Sequence, residues 1–335
     1  MILITGGAGY IGSHLAIALL EEGADIIIFD SLELGHIETV ETLKKYGNVK
    51  FIKGNLKNLD DIRGAFMANK DIEAVIHFAA YSQVAESVKN PQKYYYNNVY
   101  GTLNLLNAML EFNVKKIVFS STAATYGEPV YVPIDEKHPQ NPINPYGMSK
   151  FMIEKIMDDY DKAYGLKSVR LRYFNVAGAD SQSRIGEWHE PETHLIPNVL
   201  KATSEKSFKM FGTNYDTADG TCIRDYINVE DLAQAHIKAL EYLRKGGETN
   251  YFNLGTMGGN SVKEVFSVCE QVKGTSIPLE ICSRREGDPA KLVGDNLKAK
   301  SILHWIPKKN LEYSVKTAYK WEQVLKDKKN NADIA

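Results

Sequence analysis

The chain has 335 residues, 44% of which are hydrophobic, and its formal net charge is −2 at pH 7. This length supports a large buried core, and the charge excludes a general attraction to nucleic acid or to an anionic membrane. Three cysteines without metal-ligand spacing and a start without a leader-like segment predict a cytoplasmic protein, and no apolar run is long enough to span a bilayer.

The chain opens with the pattern of a strand, a glycine-rich turn and a helix. An apolar run over residues 1–5 precedes the segment GGAGYIG at 6–12, and apolar residues at helical spacing follow it. In this order Gly6 allows a tight turn, Gly9 lets the backbone approach a pyrophosphate, and Gly12 lets helix and strand pack closely. The helix N-terminus offers free N–H groups and a positive dipole to phosphates.

The next predicted strand, residues 24–29, leads into an acidic residue, Asp30. It lies about twenty residues beyond the glycine turn, where dinucleotide-binding folds place the carboxylate that binds the adenosine ribose. A carboxylate there repels a 2′-phosphate, which favours NAD over NADP. The sequence therefore predicts an NAD-binding site.

Strands and helices alternate through the first half of the chain, which is typical of a parallel sheet. Further strands are predicted at 49–53, 73–77, 116–120 and 168–172, and helices at 94–111, 146–164, 229–243, 261–272 and from 311 to about 324. Residues 177–197 form a long loop of the kind that is usually functional.

These patterns predict an α/β protein with a Rossmann-type, doubly wound parallel sheet and a smaller α/β C-terminal domain. We expect the NAD-binding domain to cover residues 1–175 with a return of about 225–254. The smaller, substrate-binding domain covers 176–325, and residues 326–335 form a solvated, disordered tail.

Tyr146 and Lys150 lie four positions apart on a predicted helix and therefore share one face. An ammonium at roughly 6 Å lowers the pKa of a phenol by about two units at an effective dielectric of about 20. A second cation, such as an oxidised nicotinamide ring, would bring that pKa close to physiological pH. The pair is a candidate proton-transfer device with Tyr146 as the base.

Hydroxyl side chains follow the predicted strand at 116–120. Because ligands of such folds bind at the carboxyl ends of the strands, Thr122 is a candidate to bridge a substrate oxygen and the phenol of Tyr146. Helix capping is the ordinary role of such a residue, but the downstream Tyr–Lys pair favours the catalytic one. The eight histidines show no HxxxH or comparable cluster, so no metal site is predicted.

Eight segments carry a resemblance to a known family: GGAGYIGSH from Gly6, HFAA from His77, NNVYGT from Asn97, FSSTAATYG from Phe119, YGMSK from Tyr146, RYFNVAGA from Arg172, GTCIRDYINVEDLA from Gly220 and RREGDPA from Arg284. On these, the chain up to residue 305 resembles the UDP-glucose (UDP-galactose) 4-epimerases of the extended short-chain dehydrogenase/reductase family. The resemblance implies interconversion of UDP-galactose and UDP-glucose by NAD-dependent oxidation at C4, rotation of the bound 4-keto sugar and re-reduction on its other face. NAD would be tightly bound and not consumed, and a homodimer is implied.

The resemblance also implies residue roles. Tyr146 would be the base, Lys150 would bind the nicotinamide ribose, and Thr122 would hold the sugar hydroxyl. The implied NAD contacts are Gly6, Gly9, Tyr10, Ile11, Gly12, Asp30, Asn55, Leu56, Phe78, Ala79, Ala80, Asn97, Ser120, Tyr146, Lys150 and Tyr173. The implied UDP-hexose contacts are Thr122, Tyr146, Asn175, His194, Leu195, Phe211, Arg224, Arg284, Asp288 and Leu292.

Three departures from the family pattern modify these expectations. Asn55 replaces an aspartate that contacts adenine, which predicts slightly weaker cofactor binding. His194 stands where other members carry an asparagine that faces the sugar. Leu292 occupies a position at which a tyrosine is associated with rejection of N-acetylated sugars, so UDP-GalNAc and UDP-GlcNAc are hypothetical further substrates.

Two alternatives stay open at this point. A sugar-nucleotide 4,6-dehydratase or decarboxylase begins with the same oxidation, but it needs carboxyl groups beside the catalytic threonine, where this chain has Ala123 and Ala124. A non-catalytic NAD-sensing protein would be expected to lose the Tyr–Lys pair, which is intact.

Overall fold

The computed structural model describes residues 1–285 and 288–332. Its strands are β1 (Ile2–Thr5), β2 (Ile26–Asp30), β3 (Val49–Lys53), β4 (Ala74–His77), β5 (Lys116–Thr122), β6 (Lys167–Tyr173), β7 (Asn175–Ala177), β8 (Phe208–Phe211), β9 (Ile223–Arg224), β10 (Tyr226–Asn228), β11 (Asn250–Leu254), β12 (Asn260–Ser261), β13 (Leu279–Cys282) and β14 (Lys291–Leu292). Its α-helices are α1 (Tyr10–Glu21), α2 (Ile37–Leu43), α3 (Leu59–Ala68), α4 (Val84–Lys89), α5 (Pro91–Tyr94), α6 (Gly101–Glu111), α7 (Pro145–Tyr164), α8 (Leu195–Leu200), α9 (Val229–Arg244), α10 (Val262–Lys273) and α11 (Leu311–Ala332).

Seven strands form one parallel sheet in the order β11-β6-β5-β4-β1-β2-β3. The chain builds outward from β1 in one direction and then from β4 in the other, so the strand order reverses between β1 and β4. This is a doubly wound α/β sheet, and the predicted fold class is confirmed. Such a reversal opens a crevice at the carboxyl ends of the strands, where ligands bind.

The two faces of this sheet feed two separate hydrophobic cores because side chains alternate along a strand. Ile2 and Ile4 of β1 pack into the core that α1, α2 and α9 cover, whereas Leu3 packs into the core under α3, α6 and α7. The neighbouring strands repeat the pattern, with Ile28 on the first side and Ile27 on the second. Burial on both faces explains the near-continuous apolar runs in the sequence.

A second, smaller unit follows β6. It contains the parallel pair β8–β13 and the three-stranded sheet β12-β9-β14, with α8, α10 and α11 packed around the core that includes Val199, Phe208 and Val265. Residues 229–254 leave this unit and supply α9 and the edge strand β11 to the large sheet. Among the described residues, no helix is both long and apolar enough to cross a membrane.

Two helical segments differ from the predicted ones. The single helix predicted over 94–111 is interrupted by a π-helical segment, Tyr95–Tyr100, between α5 and α6. The tail predicted to be disordered from 326 continues α11 to Ala332, and residues 333–335 lie outside the described part. Trp321 and Leu325 are buried and anchor α11, and the exposed Lys-rich residues beyond them are good helix formers.

His77, at the end of β4, is buried in its neutral form. Thr102 donates its hydroxyl proton to the carbonyl of Asn98, so the Nε2–H of His77 donates to Thr102, and Nδ1 accepts from the hydroxyl of Thr5 at 2.6 Å. Burial, helped by the charge of Lys150, lowers the pKa of His77 to about 3. An unfolded histidine has a pKa of about 6.5.

We therefore expect His77 to make the fold labile to acid. Below pH 6.5 the imidazole of His77 binds a proton in the unfolded chain but not in the folded protein. The free energy of unfolding therefore falls by about 1.4 kcal/mol per pH unit down to pH 3, which gives a total loss of about 2 kcal/mol at pH 5. Urea titrations of the wild type and of His77→Gln between pH 5 and 7 measure this, since the variant lacks the titrating ring. Equal pH slopes for the two proteins would contradict the assignment.

Candidate active site

Most of the predicted cofactor residues lie at one edge of the large sheet, where the carboxyl ends of its strands meet. The glycine turn follows β1, Asp30 is the last residue of β2, and residues 78–80 follow β4. Ser120 and Thr122 lie at the end of β5, and Tyr173 ends β6 beside Thr122 in register. The topology thus brings together residues that are up to 167 positions apart, from Gly6 to Tyr173.

The glycine turn is tightly packed except at its centre. Gly6 has φ +73°, and a Cβ on it would lie 2.7 Å from the amide nitrogen of Ala79, while a Cβ on Gly12 would lie 2.3 Å from the carbonyl of Gly6. A Cβ on Gly9 would meet nothing closer than 3.4 Å. Gly9 is also the N-cap of α1 and offers no side chain to its first amides. These free amides beside an uncrowded glycine fit a pyrophosphate.

Asp30 is held against this turn. Its carboxylate accepts hydrogen bonds from the backbone N–H of Ala8 at 3.0 Å and of Leu32 at 2.9 Å. Burial raises the pKa of Asp30, and the two backbone donors oppose that effect. A carboxylate in this position fits the adenosine ribose of a dinucleotide.

The remaining predicted cofactor contacts are placed by neighbouring loops. Asn55 and Leu56 follow β3, and the side-chain oxygen of Asn55 accepts from the N–H of Lys57 at 3.0 Å. The carbonyl of the buried Leu56 accepts from the side chain of Asn104 on α6 at 3.0 Å. Asn97 lies in the π-helical segment, an element that often occurs at functional sites.

Tyr146 and Lys150 both lie in the first turns of α7, and Thr122 faces them from β5. Lys150 is buried, its Nζ donates to the carbonyl of Ser120 at 2.8 Å, and it lies 4.7 Å from the centre of the Phe119 ring. Burial lowers the pKa of Lys150 to about 7, against the opposing charge of Glu154. At neutral pH this amine is therefore poised between its two protonation states.

The pKa of Tyr146 differs from the prediction. Desolvation of the phenol raises the pKa of Tyr146, and the opposing influence is a hydrogen bond with the hydroxyl of Thr122. Burial thus outweighs the lowering expected from Lys150, whose ammonium loses part of its charge in the same environment and is directed toward the backbone. Thr122 contacts the phenol of Tyr146, and its role toward a substrate oxygen stays a prediction.

Sequence reasoning missed a buried ion pair directly behind these residues. The guanidinium of Arg172 binds Glu154, with 2.9 Å from Nε to Oε1, and Oε1 also accepts from the hydroxyl of Ser121 at 2.6 Å. Burial disfavours the Glu154 carboxylate, but the hydrogen bond and charge of Arg172 keep the pKa of Glu154 below its usual range. The spacing of Tyr146, Lys150 and Glu154 at four-residue intervals was the available signal.

The predicted substrate residues of the smaller unit lie on two groups of short strands. Leu292 of β14 is paired in register with Arg224 of β9, and Arg224 Nη2 lies 2.6 Å from Asp288 Oδ1. The guanidinium of Arg284 lies 4.0 Å from the centre of the Tyr215 ring, beside Gly212 and close to the predicted Phe211 of β8. Leu292 packs against a small cluster formed by Ala123, Tyr126 and Ile134, and the first two of these follow Thr122 in the chain.

Asn175 and His194 have protein partners in the structure. Both the backbone and side-chain N–H groups of Asn175 donate to the carbonyl of Asp225, at 3.0 and 3.2 Å. His194 precedes Leu195 at the start of α8, and its Nδ1 lies 2.6 Å from Glu187 and 3.1 Å from Glu192.

The prediction of no metal site rested on sequence spacing, and the structure brings four side chains of metal-ligand type together in the loop before α8. Ligand-type atoms of Glu187, His189, Glu192 and His194 all lie within 4.8 Å of one another. The spacing of these four residues along the chain is irregular, which is why a search for HxxxH patterns passed over them.

Comparison with known proteins identifies the family of the chain. The model of the NAD dependent epimerase/dehydratase family matches residues 2–255. The chain is 52% identical over 325 residues to the UDP-glucose 4-epimerase of Halalkalibacterium halodurans, with 96% of this chain and 95% of the relative covered.

Two solved structures are similar throughout. The UDP-glucose 4-epimerase from Bifidobacterium longum, in complex with NAD⁺ and UDP, superposes with a TM-score of 0.91 at 38% identity, covering 96% of this chain and 98% of that one. The UDP-Glc/GlcNAc 4-epimerase from Campylobacter jejuni gives 0.85 at 42% identity, covering 96% and 99%. The chain belongs to the NAD-dependent epimerase/dehydratase family.

Proposed function

We propose that this protein interconverts UDP-galactose and UDP-glucose as an NAD-dependent UDP-glucose 4-epimerase. The observation that carries the proposal is the contact between Thr122 and Tyr146, with Lys150 buried beside them, at the same sheet edge as the glycine turn. The proposal assigns to these groups the roles of proton acceptor and substrate-orienting hydroxyl, at the edge where a dinucleotide fold holds its ligand.

The residues at the sheet edge fit NAD. The amides of the glycine turn would bind its diphosphate, Asp30 its adenosine ribose, and Lys150 its nicotinamide ribose. When bound, NAD supplies the hydride acceptor that later serves as the donor, together with a positive charge near Tyr146. Since no net oxidation occurs, turnover needs no added cofactor.

Thr122 and Tyr146 would carry out the transfer of the sugar's hydroxyl proton. Thr122 orients the 4-hydroxyl of the sugar, and Tyr146, as a phenolate, accepts the proton from that hydroxyl at Oη as C4 is oxidised. The positive charge of bound NAD would lower the pKa of Tyr146 toward this deprotonated state. Tyr146 then keeps the proton while the bound 4-keto sugar turns about its link to the diphosphate. The raised pKa of Tyr146 in the protein alone favours this holding step. On the return, Tyr146 gives the proton back to the oxygen of the inverted alcohol.

The smaller unit would hold the rest of the substrate. Arg224 and Arg284 can each present two N–H groups to the diphosphate, assisted by Asn175. Asp288 would then exchange part of its contact with Arg224 for the uridine ribose, and Phe211 would lie against the uracil.

The acidic side chains that a 4,6-dehydratase or decarboxylase needs beside the catalytic threonine are absent next to Thr122. Thr122 is followed by a 3₁₀ turn, Ala123–Thr125, whose two alanines can neither donate nor accept a proton. Elimination of water from the 4-keto sugar needs an acid and a base at that place.

Incubation of the purified protein with UDP-galactose and no added NAD tests the proposal. We expect UDP-glucose as the product, identified by chromatography and mass spectrometry, and NAD released on denaturation of the protein. A dehydrated keto sugar as the product would instead favour the alternative.

The side chain at position 292 leads to a prediction about whether the protein accepts N-acetylated UDP-hexoses. Leucine has less volume than a tyrosine ring at this position, next to the cluster of Ala123, Tyr126 and Ile134. We therefore expect the wild type to convert UDP-N-acetylgalactosamine to UDP-N-acetylglucosamine. In Leu292→Tyr, kcat/KM for this substrate should fall by at least about tenfold while that for UDP-galactose changes little. Leu292→Met keeps the volume and is the control. Equal losses on both substrates would show that Leu292 does not select for the acetyl group.

We further propose a cytoplasmic homodimer. Support for the compartment comes from Cys222, Cys269 and Cys282, all free thiols, as a reducing environment requires. Support for the dimer comes from exposed apolar side chains, such as Tyr96 and Met152, on the packed helical segments around α6 and α7.

A further inference from the structure

Four side chains of the loop before α8, among them the predicted substrate contact His194, come together in one small volume. Nδ1 of His194 lies 2.6 Å from Oε1 of Glu187 and 3.1 Å from Oε1 of Glu192, and Nδ1 of His189 lies 3.2 Å from the same oxygen of Glu187. One imidazole nitrogen of each histidine and one carboxylate oxygen of each glutamate thus lie within 4.8 Å of one another.

This donor set matches a divalent ion of the Zn²⁺ class. Zn²⁺ is held at about 2.0–2.2 Å by histidine nitrogen and carboxylate oxygen, usually with four ligands in a tetrahedron. Tetrahedral ligands at these distances lie about 3.4 Å apart. The widest separation in the cluster, up to 4.8 Å, would therefore shrink by about 1.4 Å, and the 2.6 Å contact between His194 and Glu187 would widen by about 0.8 Å. Four protein ligands leave no open coordination position, which indicates a structural ion and not a catalytic one.

Burial and charge point independently to a cation. The side chains of Glu187 and Glu192 are each only 7% exposed. Oε2 of Glu192 makes no hydrogen bond, and its nearest cation, Lys201 Nζ at 3.5 Å, is shared with Glu322 at 3.1 Å. Two facing, buried carboxylates are costly without a compensating charge. A divalent ion with two neutral histidines neutralises both of them.

The cluster is accessible to an ion from solvent and lies close to the start of α1. His194 keeps 48% of its side chain exposed, so one side of the cluster is open to solvent. On the other side, the ring of His189 lies 6.3 Å from that of Tyr10, the first residue of α1, whose hydroxyl donates to the carbonyl of Gly178 at 2.5 Å. An ion here would connect the loop between β7 and α8 with the start of the helix that follows the glycine turn.

We propose that Glu187, His189, Glu192 and His194 bind one divalent ion of the Zn²⁺ class in each chain and that this ion holds the loop in place beside α1. The alternative for the same geometry is that protons on the two histidines balance the carboxylates.

Zinc binding by the full-length protein separates these two possibilities. Protein stripped with a chelator and dialysed is titrated with ZnCl₂ against a chromophoric competitor, and bound metal is counted by mass spectrometry after gel filtration. We expect one zinc per chain. Glu187→Gln and His189→Ala should weaken binding by at least about tenfold. Glu190→Gln, which removes an exposed carboxylate from the same loop, should bind like the wild type.

The outcomes are distinct. Wild-type protein without stoichiometric zinc overturns the proposal and favours the protonated histidines. Unchanged affinity in both ligand variants also overturns it, because the zinc would then be bound elsewhere. If those two variants do not fold, as judged by circular dichroism, Co²⁺ added to the wild type decides. Visible d–d bands of a four-coordinate nitrogen and oxygen site support the proposal, and their absence overturns it.

Discussion

Replacement of Tyr146 by Phe is expected to lower kcat for UDP-galactose by at least about a hundredfold. The variant keeps the ring and its packing but has no oxygen to take the proton from the sugar hydroxyl. Thr122, whose hydroxyl contacts Tyr146, is a far weaker acid than a phenol and is not ionised at neutral pH, so it does not replace the phenolate. Initial rates of UDP-glucose formation at saturating substrate measure the effect, and NAD content measured on denatured protein shows whether the cofactor is still retained.

Tyr164→Phe is the matched control, because Tyr164 ends the same helix and is 55% exposed. It should retain the wild-type kcat. Near-wild-type turnover by Tyr146→Phe with NAD bound would mean that another group is the base. A loss of NAD together with activity would point to a binding role for Tyr146 instead.

Replacement of Arg172 by Met is expected to destabilise the fold by about 3–5 kcal/mol. Arg172 and Glu154 are 2% and 1% exposed, so removal of the guanidinium leaves a buried carboxylate without its partner. Its remaining donors, among them Ser121, do not carry a charge. Urea denaturation at pH 7 measures the change in free energy of unfolding.

Two comparisons separate this cost from a general effect of losing an arginine. Arg63→Met removes an exposed pair with Glu111, whose side chains are 42% and 44% exposed, and should cost less than about 1 kcal/mol. The double variant Glu154→Leu with Arg172→Met removes both charges and should recover much of the stability. If the double variant is no more stable than the single one, the loss arises from packing and not from the unpaired charge.

The features that local patterns encode were predictable. Apolar runs over residues 2–4 and 26–29, each followed by a turn and a helix, specify strands buried on both faces, and parallel pairing follows from that alternation. The four-residue spacing of Tyr146 and Lys150 likewise specifies a shared helix face. Shorter strands such as β9 and β14 have two residues each and no periodicity to detect.

The features that depend on solvation were not predictable. A Coulomb estimate at constant dielectric gave a lowered pKa for Tyr146, whereas burial raises it and also lowers the pKa of Lys150 to about 7. Arg172 looks like one more polar residue in the sequence of a strand, and only the sheet shows that it faces Glu154. Glu187, His189, Glu192 and His194 lie within eight consecutive residues, but their intervals of two, three and two match neither a helical repeat nor the HxxxH spacing.

The return of residues 229–254 to the large sheet determines how this protein can be divided. In a fragment of the first 175 residues, β6 would be an edge strand with unpaired backbone N–H and C=O groups, because β11 would be missing. The face of α1 that packs against α9 would be exposed to solvent. Chimeras that exchange substrate-recognition segments between relatives therefore need junctions on both sides of 229–254. A single junction after β6 would combine the large sheet of one protein with the α9 and β11 of another.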